Sequence, residues 1–282
     1  MPLQDYIQRF LFKDHAIRGQ RLLLNQAWLS MLKDRHYPVS LRQLLGELTG
    51  FSALLANGIK HKGKITLQVQ GTGPVNLLVV EMTHELKLKG MAKTNQLITA
   101  QTNADQLLGE GQILLSLENS LTDHIYQSYV SREGAQLVDS LEHFLSQSEQ
   151  LDTRLWISVS EQAIGALYLQ KMPAIKTSDA DAWDRIQHLA STVKDEELLE
   201  LDNETLLTRL FHEEVVELYE AKPIQYECTQ DRERVATMLK SLGEEEARTL
   251  LKEQGEIVVF NEMCNYHERF NSEDLDKLFK TQ

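Results

Sequence analysis

Apolar positions recur at two periods along this chain. Leu41, Leu44, Leu45, Leu48, Phe51, Leu54 and Leu55 stand three or four apart, which predicts an amphipathic helix. Trp28, Leu29, Met31 and Leu32 predict a shorter helix before it, stopped by Tyr37-Pro38. The period then falls to two at Lys64–Gln70, with Ile65, Leu67 and Val69 on one face of a strand. Gly71-Thr72-Gly73-Pro74 predicts a turn, and Val75–Val80 a returning strand. Further strands are expected at Lys87–Lys93, Gln112–Glu118, His124–Val130, Leu155–Val159 and Ala166–Gln170, with a helix at Leu137–Ser146. This pattern predicts an α/β or α+β domain with a largely antiparallel sheet.

From residue 177 the pattern changes. Trp183, Ile186, Leu189, Ala190 and Val193 lie at helical spacing, and Leu198, Leu199, Leu206, Leu207, Leu210 and Phe211 continue it. The opposite faces are acidic, so an amphipathic helical connector is expected over 177–227. Beyond it, helices are expected at Val235–Leu242 and Glu244–Leu251, divided by Gly243. A strand at Ile257–Phe260 follows, then a last helix capped by Ser272 with Glu273 and Asp274 in its first turn.

Charge divides the chain at the same places. The 282 residues carry 29 basic and 42 acidic side chains, net −13, yet residues 1–176 are close to neutral. Residues 177–227 hold 14 acids and 4 bases, net −10, and residues 228–282 are net −4. Three pieces are therefore expected: an N-terminal domain over 1–176, an acidic helical linker over 177–227 and a small C-terminal α+β domain over 228–282. Such acidity argues against nucleic acid and anionic membranes as partners. Two cysteines exclude a disulfide scaffold, and no apolar run reaches the ~18 residues of a membrane span. Without an apolar leader at the N-terminus, a cytoplasmic location is expected.

Few residues suggest chemistry. Gly71-Thr72-Gly73-Pro74 lacks the third glycine and following helix of a phosphate loop. Glu213-Glu214 and Glu244-Glu245-Glu246 read as solvated helical stretches rather than catalytic carboxylates. There is no H-E-x-x-H and no G-x-S-x-G, so an enzyme is not expected. Cys264 and His267, three apart, could share a metal with Cys228, although no fourth ligand is evident. The alternative is two ordinary cysteines in a small acidic domain.

The chain resembles the heat shock protein 33 family, the redox-regulated bacterial holdase chaperones. The matching stretches run in the family's order over nearly the whole length. They are Phe12–Gly19 with Ala16-Ile17-Arg18-Gly19, Gly63–Pro74, Tyr126-Gln127, and Ser148–Leu151 with Thr153. Then come Leu169-Gln170-Lys171-Met172-Pro173, Glu196-Glu197-Leu198-Leu199, Phe211-His212-Glu213-Glu214 and Arg232-Glu233-Arg234. The resemblance implies an N-terminal α/β domain, a helical linker and a C-terminal redox switch holding zinc through a C-x-C and a C-x-x-C.

Here the first motif reads Cys228-Thr229-Gln230 and the second Asn261-Glu262-Met263-Cys264. Each has lost one cysteine, at Gln230 and Asn261. Two thiolates do not close a tetrahedral zinc site, so no zinc or other cofactor is expected. Either the switch is lost or it uses a single Cys228–Cys264 bond. Such a bond would tie the C-terminal domain down, whereas oxidation in the family releases it. The resemblance implies an ATP-independent holdase whose partners are unfolded client proteins, and it allows a homodimer on activation. Trp183, Ile186, Leu189 and Val193 are the expected linker-docking and client-binding residues. The rival is a non-chaperone acidic adaptor on the same fold; a zinc hydrolase would need an open metal site.

Overall fold

The computed structural model describes residues 5–59, 62–98, 103–122, 124–132, 136–173, 179, 181–228 and 231–280. The fold is α+β, and the chain divides into two compact units, Met1–Glu227 and Cys228–Gln282. The boundary expected at 176/177 lies outside the described residues.

The first unit begins with β1 (Tyr6–Phe12), β2 (Ile17–Leu24), α1 (Gln26–Leu32), α2 (Val39–Gly58), β3 (Gly63–Gly71), β4 (Val75–Thr83) and β5 (Lys87–Thr94). It continues with α3 (Ala104–Leu108), β6 (Gly111–Asn119), β7 (Ile125–Ser131), α4 (Leu137–Glu149), β8 (Thr153–Val159) and β9 (Ile164–Lys171). It ends with α5 (Ala182–Ala190), α6 (Asp195–Glu200), α7 (Asn203–Phe211), β10 (Val216–Leu218), β11 (Lys222–Pro223) and β12 (Gln225–Tyr226). One sheet runs β10-β1-β2-β9-β8, with β11 also on β1; the other runs β12-β5-β4-β3-β6-β7. All pairs are antiparallel except β12 with β5.

The hairpin expected over Lys64–Val80 is present as β3 and β4, slightly longer than expected, with Ile65, Leu67 and Val69 fully buried. The strands β1 and β2, not foreseen, precede the first helix. Their residues lack alternation because the sheet is covered on both faces; seven of the eight residues of β2 are buried. The end of the linker also departs from expectation. Past α7 the chain is extended, not helical, and its short strands add to both sheets.

The helix α2 was expected to be amphipathic, but it is buried nearly all round. It lies in the main core, touching β2 and β9 of one sheet and β3, β4 and β5 of the other. Its buried polar residues bond both within the helix and, through Asn57, to Gln20 of β2. Thr49 and Ser52 donate to the carbonyls of Leu45 and Leu48, both at 2.7 Å. Gln43 donates to Glu47 Oε1 at 2.8 Å, whereas Glu47 Oε2, like Ser40 Oγ, is buried without a partner among the described residues. Burial pushes its carboxyl up to about 7.

The second unit holds α8 (Arg232–Leu242), α9 (Glu244–Gln254), β13 (Ile257–Asn261), β14 (Tyr266–Phe270) and α10 (Ser272–Lys280). Its small core is Leu239, Ala247, Ile257, Phe270 and Leu275. Gly243 (φ 99°) joins α8 to α9 in a conformation that favours glycine. The last helix is capped by Asn271 rather than Ser272. Asn271 Oδ1 accepts from the Asp274 amide at 3.0 Å, and Asp274 Oδ2 accepts from the Asn271 amide at 3.0 Å. Asn was overlooked because Ser272 sits one residue nearer the apolar run.

Glu47 gives a pH prediction. Its folded-state value lies above its unfolded one, so neutral Glu47 stabilises at low pH. That contribution is lost as pH rises from about 4.5 through about 7. Replacing Glu47 with Gln should raise the stability of the first unit at pH 8 by up to roughly 3 kcal/mol, with little change at pH 4.5. Urea unfolding at both pH values measures it; equal effects at the two would contradict the assignment.

Candidate functional site

The two faces of β1, β2 and β9 have different covers. Register pairs Ile7 with Leu22, Arg9 with Gln20 and Leu11 with Arg18, all on the side of α2. Phe10 opposes Gly19 and Phe12 opposes Ile17 on the other side. There they join Leu167 and Leu169 in a second core with Ala182, Ile186 and Ala190 of α5, Leu198 of α6, and Leu206, Leu207, Leu210 and Phe211 of α7. The acidic segment is thus the lid on an apolar sheet face.

Two glycines let the lid close. A Cβ on Gly19 would sit 2.1 Å from the Phe10 ring, which itself packs edge-on against Phe12. A Cβ on Gly165 would sit 2.0 Å from the Leu198 carbonyl oxygen, so only glycine admits the end of α6 this close. Phe12 meets Phe211 edge to face, with centroids 5.0 Å apart.

Among the expected docking residues, Ile186 is fully buried at the centre. Trp183, Leu189 and Val193 are partly buried around this core, with Trp156. The deepest line on α5 is Ala182, Ile186 and Ala190, displaced from the predicted stripe because small alanines allow closer approach.

Two polar fastenings were not foreseen. Arg21 is fully buried on the lid side of β2. Its Nη2 donates to the carbonyls of Leu198 at 2.5 Å and Leu201 at 3.3 Å, at the C-terminal end of α6. Nη1 reaches the carbonyls of Leu22 and Ala166, and Nε is buried without a partner. Desolvation pushes Arg21 down to about 10, so it remains a cation at neutral pH. A helix C-terminus favours positive charge, and its last carbonyls have no intrahelical partner. Arg21 therefore pins α6 to the sheet.

The second fastening corrects the reading of Glu214 as solvated. It lies in the turn after α7 with its side chain 9% exposed, 3.0 Å from His15 Nε2 and 3.0 Å from Arg185 Nε. Arg185 also pairs with Asp179 at 2.8 Å and holds that carboxyl below the usual range. The β1–β2 turn, α5 and the end of α7 are thereby joined. Glu213 is solvated, as are Glu244, Glu245 and Glu246 in the first turn of α9.

In the second unit, Cys228 and Cys264 are bonded, with Cα atoms 5.6 Å apart, within disulfide range. Asn261, at one lost cysteine position, accepts from the Cys264 amide at 3.1 Å and shapes that turn. Gln230, the other, lies outside the described residues. His267 stacks on Phe260 at 4.6 Å. Among the described residues no three His, Cys, Asp or Glu groups are placed to hold a metal. The donor set does not fit the zinc that the resemblance implies, because its two thiols are spent on each other.

Comparison with known proteins gives a consistent picture. A family model described as Hsp33 protein matches residues 5–271. The 33 kDa chaperonin of Methylobacillus flagellatus is 39% identical over 284 residues, spanning 100% of this chain and 97% of that protein. That of Nitrosococcus oceani is 38% identical over 282 residues, spanning 100% and 96%. A solved structure of the 33 kDa chaperonin from Thermotoga maritima superposes with a TM-score of 0.80 over 98% of each chain at 22% identity, a likeness of fold.

Arg21 supplies a test of the lid. Changing it to Met leaves the carbonyls ending α6 without donors in a buried site, weakening docking by roughly 2–4 kcal/mol. The onset temperature for suppressing client aggregation, read by light scattering, should fall in Arg21→Met and in Ile186→Ser. It should move less in Trp183→Ser, at the rim. A higher onset in Arg21→Met would show that the guanidinium opposes docking.

Proposed function

This chain belongs to the Hsp33 family, and we propose that it acts as a chaperone holding unfolding proteins on the sheet face that residues 182–211 cover. The observation that carries this reading is the second core. A continuous apolar surface on β1, β2 and β9 is covered by a segment of its own chain that bears net charge −10 over 177–227. An apolar face of this kind, once bare, is a surface for apolar segments of other chains. The detached acidic segment keeps the complex in solution. The mechanism needs no nucleotide, and its partners are unfolded clients. No helix among the described residues is long and apolar enough to cross a membrane; a cytoplasmic site of action is part of the proposal.

The gating follows from the second unit. We propose that it folds without zinc, the single Cys228–Cys264 bond standing in for the metal. The bond encloses α8, α9 and β13 in a loop with a sequence separation of 36. In the chain-entropy model that closure is worth roughly 3–4 kcal/mol. A unit with so small a core is marginal without it. Ion pairs add support: Arg232 lies over the Phe270 ring at 4.2 Å and pairs with Glu268 at 3.2 Å and Asp274 at 3.0 Å. Oxidation therefore tightens this unit, and heat opens it.

A direct experiment compares oxidised protein with protein reduced by dithiothreitol, which returns Cys228 and Cys264 to free thiols and is itself oxidised to a cyclic disulfide. Light scattering of a heat-labile client, with zinc and free thiols quantified alongside, reads the outcome. Both forms should suppress aggregation without ATP or peroxide. The reduced form should begin at a temperature lower by about 10 °C or more. Activity that requires oxidation, or about one zinc per chain, would overturn the gating scheme. Absence of suppression in both forms at all temperatures would overturn the chaperone reading itself.

A further inference from the structure

A cleft of about 560 Å³ opens on the α2 side of the first sheet, opposite the lid, beyond the C-terminal end of α2. Its size is that of small-ligand sites, about 300–1,000 Å³. Leu11 of β1 gives the cleft an apolar floor, backed by the buried Ile7, and Met172 closes one side. The chain between β10 and β11 forms the far wall, held by the Tyr219 amide donating to the Arg9 carbonyl at 3.0 Å and by Gln8 Nε2 donating to the Tyr219 carbonyl at 2.7 Å.

Three cations converge on this apolar floor. Arg18 donates through Nε to Gln170 Oε1 at 2.8 Å. Lys222 Nζ donates to Asn57 Oδ1 at 3.2 Å, and Asn57 is itself fixed by donating to Gln20 Oε1 at 2.7 Å. These two side chains are thus held in place by neutral amides. The half-buried Arg9 guanidinium has no hydrogen-bond or ion-pair partner among the described residues. Burial, then the nearby charge of Arg18, hold it below the usual arginine range. Glu220 is the one acid among the lining residues. In a chain with 42 acidic and 29 basic side chains, an arginine left half-buried without a counter-ion is out of keeping with its surroundings.

We propose that this cleft binds a small amphipathic anion, a carboxylate on an apolar body of medium chain length, with the carboxylate on Arg9 and the body along Leu11 and Met172. Guanidinium and carboxylate match as a two-point hydrogen-bonded pair, which Arg9 has free to offer. The apolar floor gives a small hydrophilic anion nothing to bury, and the cations disfavour a neutral or cationic amphiphile. The site is independent of the client-binding reading, since it occupies the other face of the sheet.

The test is titration calorimetry of the full chain with sodium decanoate below its micelle concentration, against acetate and decyltrimethylammonium. One decanoate should bind per chain, with acetate and decyltrimethylammonium giving no saturable heat. Arg9→Gln should weaken binding at least tenfold, and Met172→Trp, which fills the cleft, should abolish it. Lys222→Gln, an exposed substitution, should weaken it severalfold without disturbing the core. Circular dichroism melting confirms that each variant is folded. No decanoate binding, equal binding of decyltrimethylammonium, or decanoate binding unaltered by all three folded variants would overturn the assignment.

Discussion

The sheet formed by β1, β2, β9 and β8 carries a buried apolar patch on each face, and that constraint organises the rest of the molecule. One face is closed by α2, a helix buried so completely that its hydroxyls turn back onto its own carbonyls. The other is closed by α5, α6 and α7, which present apolar residues inward and acids outward. The two covers differ in what holds them. The face of α2 belongs to a core shared with the second sheet. The other is held by one layer of helices, a buried arginine on helix-end carbonyls, a cluster of ion pairs, and hydrogen bonds from Ser158 to Asp195 and from Tyr6 to Asn203.

Such a layer is suited to lifting away. Burying an aliphatic side chain gains about 1.5–3 kcal/mol, but ordering the segment costs about 1–2 kcal/mol per residue in backbone entropy. The charge on the outer side adds repulsion within the segment. Further along the chain, one covalent bond, Cys228–Cys264, closes the second unit. In the proposed scheme the bond acts in the opposite sense to the four-thiol arrangement that the family resemblance implies, because pairing the two cysteines would stabilise this unit.

The hairpin at 63–83, the run of leucines in α2 and the helical stripe of α5 were legible in the sequence, since each has a simple period and a polar boundary. The paired strands β1 and β2 were not. Ile17–Leu24 reads neither as alternation nor as helix, because both faces of those strands are buried. Nor could the sequence show that Glu214 is buried, since its partners His15 and Arg185 stand 199 and 29 residues away. Arg21 was invisible for the same reason: the carbonyls it holds belong to Leu198 and Leu201, and backbone acceptors carry no residue signature. Cys228 and Cys264 were legible as positions, while their pairing needed the chain brought together in space.

The central claim is that the acidic segment opens while the sheet beneath it stays folded. Temperature-resolved hydrogen exchange, sampled from the same solution in which client capture is followed, tests it most directly. The account predicts that amide exchange across 182–211 accelerates at the temperature where capture begins, with β1, β2 and β9 still protected. Capture that begins while 182–211 remains protected, or only when the sheet itself exchanges, would contradict it.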